Sequence, residues 1–198
     1  MSDRNIRNDI KDLIKSITTF DDLEKEHVED AIDWIESGTD IFRTQKDAVP
    51  PKHLVSYSVV ADLDKSKVLL FDHKKAQRML PSGGHINIDE MPHKAAKREL
   101  KEELNLVLDI HPLNNSSDVP FFITVTDTVG ISESHTDVSL WYLFNVDSER
   151  IDKVDGDEYS KEFDGFKWLG FDEILSSPIL KFDPHMHRFI RKIKKYNY

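Results

Sequence analysis

The chain has 198 residues, 38% of them hydrophobic and 32% charged, enough for one mid-sized domain with an elaboration, and its formal net charge is −10. That negative field repels nucleic-acid backbones, so no nucleic-acid polymer is expected as a partner, and a small anionic substrate would need local basic groups or metal cations. There are no cysteines, which excludes disulfides, thiolate metal sites and cysteine nucleophiles.

Ile6, Ile10, Leu13, Ile14 and Ile17 recur at helical spacing. Leu23, Val28, Ala31, Trp34 and Ile35 repeat the pattern after TTFDD, and Gly38 is a stop signal. No long apolar run opens the chain, so neither a signal peptide nor a membrane span is expected, and the expected location is cytoplasmic. AVPPKH at 48–53 breaks the chain. Residues 54–63 and 67–73 read as paired strands, and RMLPSGGHI at 78–86 as a strand ending in a Gly-Gly turn. Pro92 to Leu104 reads as a helix with proline in its first turn. NNSS at 114–117 reads as a loop, 121–129 and 138–146 as strands, and 165–171 as a shorter strand before a short helix. Asp183 and Pro184 start a last helix whose apolar stripe is Met186, Phe189, Ile190 and Ile193. This order predicts a mixed α+β fold with helices against a mixed sheet.

The helix over 92–104 carries the most informative pattern. At about 100° per residue, Glu99 and Glu103 fall on one side, with Glu102 beside them and Ala95 one turn back. Ala96, Leu100 and Leu104 form an apolar stripe, and Lys94, Lys97 and Lys101 take the remaining side. A solvated acidic face laced with lysine pairs is the ordinary reading of such a helix. Here, however, the acids are segregated from the lysines, Ala95 leaves room on their face, and Gly83-Gly84 lets backbone approach. Hard divalent cations bind through several oxygens, and a bound cation would turn the repulsion among the acids into attraction.

The stretch resembles the signature of the Nudix hydrolases: Gly, five residues, Glu, seven residues, Arg-Glu, an aliphatic, any residue, Glu-Glu, any residue, Gly, an aliphatic; Gly84, Glu90, Arg98, Glu99, Leu100, Glu102, Glu103 and Leu106 hold these positions. Asn105 stands where the family has Gly; asparagine is the next-best residue for a left-handed helix end. The resemblance implies a Nudix-type α/β/α sandwich with a mixed sheet over 51–198. Residues 1–50 lie outside it; the apolar stripes of their two helices need a partner, so this helical extension is expected to pack on that core or on a second subunit, as in a homodimer. It implies that Glu99, Glu102 and Glu103 are metal-binding and catalytic carboxylates, that the Gly83 carbonyl is a further ligand, and that the ion is Mg²⁺ or Mn²⁺. Gly84, Glu90 and Asn105 would be structural, with Arg98 and Glu90 bracing the loop and helix. Glu162, six residues before Trp168, resembles an additional catalytic acid of some nucleoside-triphosphate-cleaving members. Among Asp155, Asp157, Glu158 and Asp164 it can equally be an ordinary loop acid.

The implied reaction is metal-dependent water attack on a diphosphate linkage of a nucleoside diphosphate derivative, with a nucleoside triphosphate or related nucleotide as substrate and a nucleoside monophosphate as product. The alternatives are a Nudix-fold binding or regulatory module and an ADP-ribose or nucleotide-sugar pyrophosphatase. The isoprenoid-isomerase branch of the fold uses a cysteine that this chain lacks. Lys74, Lys75 and Arg78 are candidates for meeting phosphate; a solvated basic hairpin is the competing reading. His135, Asp137 and Trp141 are candidates for touching a base or phosphate, against plain loop polarity and sheet packing. His185 and His187 lie on different sides of a helix, so no shared metal site is expected from them.

Overall fold

The computed structural model describes residues 3–45, 49–112, 118–128, 135–151 and 153–197; the NNSS segment lies outside them. Helices α1 (Asp3–Lys15) and α2 (Asp22–Glu36) come first, followed by strands β1 (Lys52–Asp62), β2 (Lys67–His73), β3 (Arg78–Leu80) and β4 (Ser82–His85). Helix α3 (Pro92–Leu104), strands β5 (Phe122–Thr128) and β6 (His135–Asn145), and helix α4 (Tyr159–Glu162) come next. Strand β7 (Phe163–Gly170) and helices α5 (Phe171–Ser176) and α6 (Met186–Asn197) complete the order.

The seven strands form one sheet along the path β3-β2-β1-β6-β5, with β4 also on β1 and β7 also on β2. Among the described strands, only β1 and β6 pair in parallel, in register from Lys52 opposite Thr136 to Ala61 opposite Asn145. The other pairings are antiparallel. Side chains alternate across β1: Leu54 and Val60 join a core with α1, α2 and α3, whereas Val59 and Ala61 join a second core with α5 and α6. A central strand covered on both faces has no polar side, which is why β1 and β6 read as nearly continuous apolar runs. The result is an α/β/α sandwich.

Four expectations are corrected. The Gly-Gly pair is not a turn. Pro81, which lacks an N–H, separates β3 on β2 from β4 on β1, and both glycines lie within β4. The polar residues His135 to Asp137 are not loop but the first part of β6, paired with β1 and β5. Trp141 is not a substrate contact: it is fully buried between Phe122, Phe189 and Tyr57, and its Nε1 donates to Thr124 Oγ1 at 3.1 Å. Ala95 leaves no room beside the acids, because it is buried in the first core.

In α1, Ile6, Ile10 and Ile14 are buried as their spacing predicts. In α2, Leu23 is 40% exposed, and its neighbour Glu24 is buried instead. Glu24 accepts from Lys192 Nζ at 2.7 Å, both side chains being fully buried, and from Phe20 N at 2.6 Å. Asp21 caps α2 by accepting from Glu24 N at 2.8 Å and also takes both guanidinium branches of Arg188. These contacts bind α2 to α6 alongside the edge strand β5. Among the described residues, no helix is long and apolar enough to cross a membrane.

Candidate active site

Helix α3 lies across β1 and β4. Ser56 Oγ donates to Pro92 O at 3.0 Å and Ser58 Oγ to Ala96 O at 2.8 Å, which fixes the helix over the sheet. The helix ends at Asn105, in the left-handed conformation with φ 55 and ψ 31. Its N–H closes on Lys101 O at 2.9 Å and its Nδ2 donates to Asp155 Oδ1 at 3.2 Å.

Arg98 is the hub of the acidic face. Its Nε and Nη2 each donate to Glu90 at 2.9 Å, its Nη2 also reaches His85 O at 3.0 Å, and its Nη1 donates to Glu99 at 2.6 Å and Glu102 at 3.0 Å. Such charge-assisted bonds raise the guanidinium pKa above its already high ordinary value. Burial alone would push the Glu90 carboxyl up, but Arg98 and the Asn87 N–H outweigh it and hold the carboxyl down.

Glu103 sits deeper. Its Oε2 accepts from Ser82 Oγ at 2.6 Å and from Gly83 N at 3.2 Å. Burial, reinforced by the charges of Glu99 and Glu162, pushes its pKa up to about 8 against these two bonds. Glu99 is also raised, first by burial and then by Glu102 and Glu162, with Arg98 opposing. Glu162 therefore faces this cluster from α4, with its side chain 41% exposed and 3.8 Å from His73 Nε2. Lys74 Nζ holds α4 by donating to Ser160 O at 2.5 Å, and Lys74 N donates to Glu162 O at 2.9 Å. Gly84 is the point of closest approach: a Cβ there would come within 2.5 Å of Glu99 Oε1.

Residues 52–193 match the model of the NUDIX domain family. The chain belongs to the NUDIX family. Membership makes it a pyrophosphohydrolase. A comparison with curated protein sequences gave no match. Among solved structures, a NUDIX-family hydrolase from Clostridium perfringens is 22% identical, with a TM-score of 0.52 over 72% of this chain and 97% of the other. A MutT NUDIX hydrolase from Burkholderia pseudomallei is 18% identical, with a TM-score of 0.51 over 72% and 98%. The MutT protein of Methanosarcina mazei Go1 is 16% identical, with a TM-score of 0.52 over 78% and 99%. At these identities the likeness is one of fold.

The Nudix fold thus gathers Gly83, Gly84, Glu90, Arg98, Glu99, Glu102, Glu103 and Glu162 around the C-terminal half of α3. Lys74 is engaged with α4, and Lys75 is exposed in the turn after β2. Arg78 is close enough to Asp183 for its charge to oppose the burial that pushes that carboxyl up to about 6. His135 stacks on His53 with ring centroids 5.1 Å apart. Two contributors escaped sequence reasoning. Ser82 carried no signal of its role toward Glu103. Gly156 packs so closely on the Glu102 and Glu103 carbonyls that a Cβ would overlap them, and a glycine amid the acidic run DGDE was the available hint.

Proposed function

We propose that the protein hydrolyses a diphosphate linkage in a nucleoside diphosphate derivative, a nucleoside triphosphate or related nucleotide, using Mg²⁺ or Mn²⁺ and releasing a nucleoside monophosphate. The observation that carries this is the convergence of Glu99, Glu103 and Glu162, where burial and mutual repulsion raise Glu103 to about 8. An all-oxygen set that destabilises its own charges suits a hard divalent cation. Glu99, Glu102, Glu103 and the Gly83 carbonyl would hold it; when bound it would screen the phosphates, polarise the phosphoryl group and acidify water. Arg98 restrains Glu99 and Glu102 from one side, and Ser82 with the Gly83 N–H orients Glu103 from the other. The proton of the attacking water passes to a carboxylate of this set. Glu162, tethered through Lys74 yet partly exposed, is our candidate to accept it.

The test is a product screen with the full chain and Mg²⁺ or Mn²⁺ against nucleoside triphosphates, nucleotide sugars, ADP-ribose and dinucleoside polyphosphates. A nucleoside monophosphate should appear from at least one triphosphate and fall by about 10²–10⁴-fold in Glu103→Gln. Preferential release from ADP-ribose or a nucleotide sugar would reassign the substrate, and silence across the panel would reject the reading.

A further inference from the structure

A second polar cluster lies on the other face of the sheet from α3. Alternate residues of β1, Ser56 and Ser58, bond the α3 backbone, so His53 projects from the opposite face. The parallel register sets His53 beside Asp137 on β6, and His135 lies two residues earlier on the same strand. His53 Nε2 is 3.2 Å from Asp137 Oδ1, and His135 Nε2 is 3.5 Å from the same oxygen.

The His53 tautomer makes this arrangement informative. Its Nδ1 is 2.9 Å from Pro50 O, a carbonyl that can only accept, so Nδ1 carries the hydrogen. A ring carrying only that hydrogen aims the Nε2 lone pair at a carboxylate oxygen. The His53 side chain is fully buried, and neither its Nε2 nor Asp137 Oδ1 makes a hydrogen bond of acceptable geometry among the described residues. Two electron-rich atoms facing each other in a buried site need an electrophile between them, either a proton or a metal ion.

We propose that His53, His135 and Asp137 form a binding site for a borderline divalent transition ion such as Zn²⁺, separate from the carboxylates of α3. Two imidazoles and one carboxylate are a zinc-type donor set, and three protein ligands leave a coordination position open. Bonds of about 2.0–2.1 Å at the tetrahedral angle put ligand atoms about 3.3–3.4 Å apart. The two nitrogen-to-oxygen separations, 3.2 and 3.5 Å, bracket that value, and all three ligand atoms lie within 4.8 Å of one another. The His53 Nδ1–H bond to a backbone carbonyl is the outer-sphere contact that fixes a ligating imidazole. His85 flanks the site, its ring 4.9 Å from that of His53, while its backbone carbonyl accepts from Arg98.

The test uses the metal alone. Full-length protein in excess Mg²⁺, which occupies hard-oxygen sites, is titrated with Co²⁺ while the visible spectrum is followed. One equivalent should bind with the intense absorption of a low-coordinate nitrogen-containing site, and Zn²⁺ should abolish it. His135→Ala and Asp137→Asn should each weaken binding by about a hundredfold or more, at least the loss seen for outer-sphere contacts. His187→Ala should leave it unchanged. Circular dichroism melts identify a variant that fails to fold, in which case the other variant and the wild-type titration decide. No such absorption in wild type, or an unaltered signal in the folded variants, would overturn the proposal and leave a proton shared by His53 and Asp137.

Discussion

Replacing Gly84 with alanine should separate catalysis from folding. A Cβ at Gly84 would lie 2.5 Å from Glu99 Oε1, about 0.9 Å inside ordinary contact at 3.4 Å. The obstruction is the end of a side chain, so the carboxylate can swing aside while β4 stays in place. The stability cost should be about 1 kcal/mol or less, at the low edge of overpacking. A carboxylate moved by about 1 Å, however, costs on the order of 10²-fold in rate. Gly83→Ala is the matched control. Its Cβ would meet Tyr57 Cδ1 at 2.5 Å and also the Ser56 carbonyl, and that backbone belongs to the central strand. It should cost about 1–3 kcal/mol, with each kcal/mol lowering the melting temperature by about 2–4 °C. Thermal melts and Mg²⁺-dependent turnover of both variants decide the matter. If Gly84→Ala turns over like wild type, or melts as low as Gly83→Ala, the reasoning from close approach is wrong.

Asn105→Gly should be within about 1 kcal/mol of wild type, because it relieves the left-handed φ of 55 while losing an exposed bond to Asp155; Asn105→Val should cost about 1–2 kcal/mol, and equal melting of the two would contradict the strain argument. Glu24→Leu strands a buried Lys192 and should cost about 3–5 kcal/mol in urea melts, whereas Glu24→Leu with Lys192→Met should recover most of it; a cost near zero for the single variant would mean that α2 does not pack on α6 as described. Burial, with Arg188 and His27, holds the His185 pKa down to about 4, below the ordinary 6.5. Since the folded value is lower, this contribution is fully present above about pH 6.5 and is lost as the pH falls toward 4, on the order of 1–3 kcal/mol, and His185→Gln should flatten that part of the stability curve. Arg188 Nη1 at 2.9 Å already donates to His185 Nδ1, which leaves that nitrogen no room for a proton. Mg²⁺ should raise the wild-type melting temperature over EDTA, and this difference should shrink in Glu103→Gln; identical wild-type melts with Mg²⁺ and EDTA would argue against cation binding by the α3 carboxylates.

The features legible in the sequence are those whose physics is local. The buried stripe of α1, the span of α3 and the left-handed turn at Asn105 follow from helical spacing and backbone sterics within a few residues. The contact of Arg98 with Glu102 is equally local, since helix geometry brings residues four apart together. Tertiary structure decided what depends on distant partners. Glu24 rather than Leu23 is buried because Lys192, far along the chain on α6, neutralises it. The two glycines serve a strand and not a turn because β1 backbone and the Glu99 carboxylate crowd β4 from either side. Trp141 is core because α6 covers the second face of β6. His53 meets Asp137 only through the register of two parallel strands, and that register is set by which faces of β1 and β6 are buried, a property of the assembled sheet and of neither strand alone.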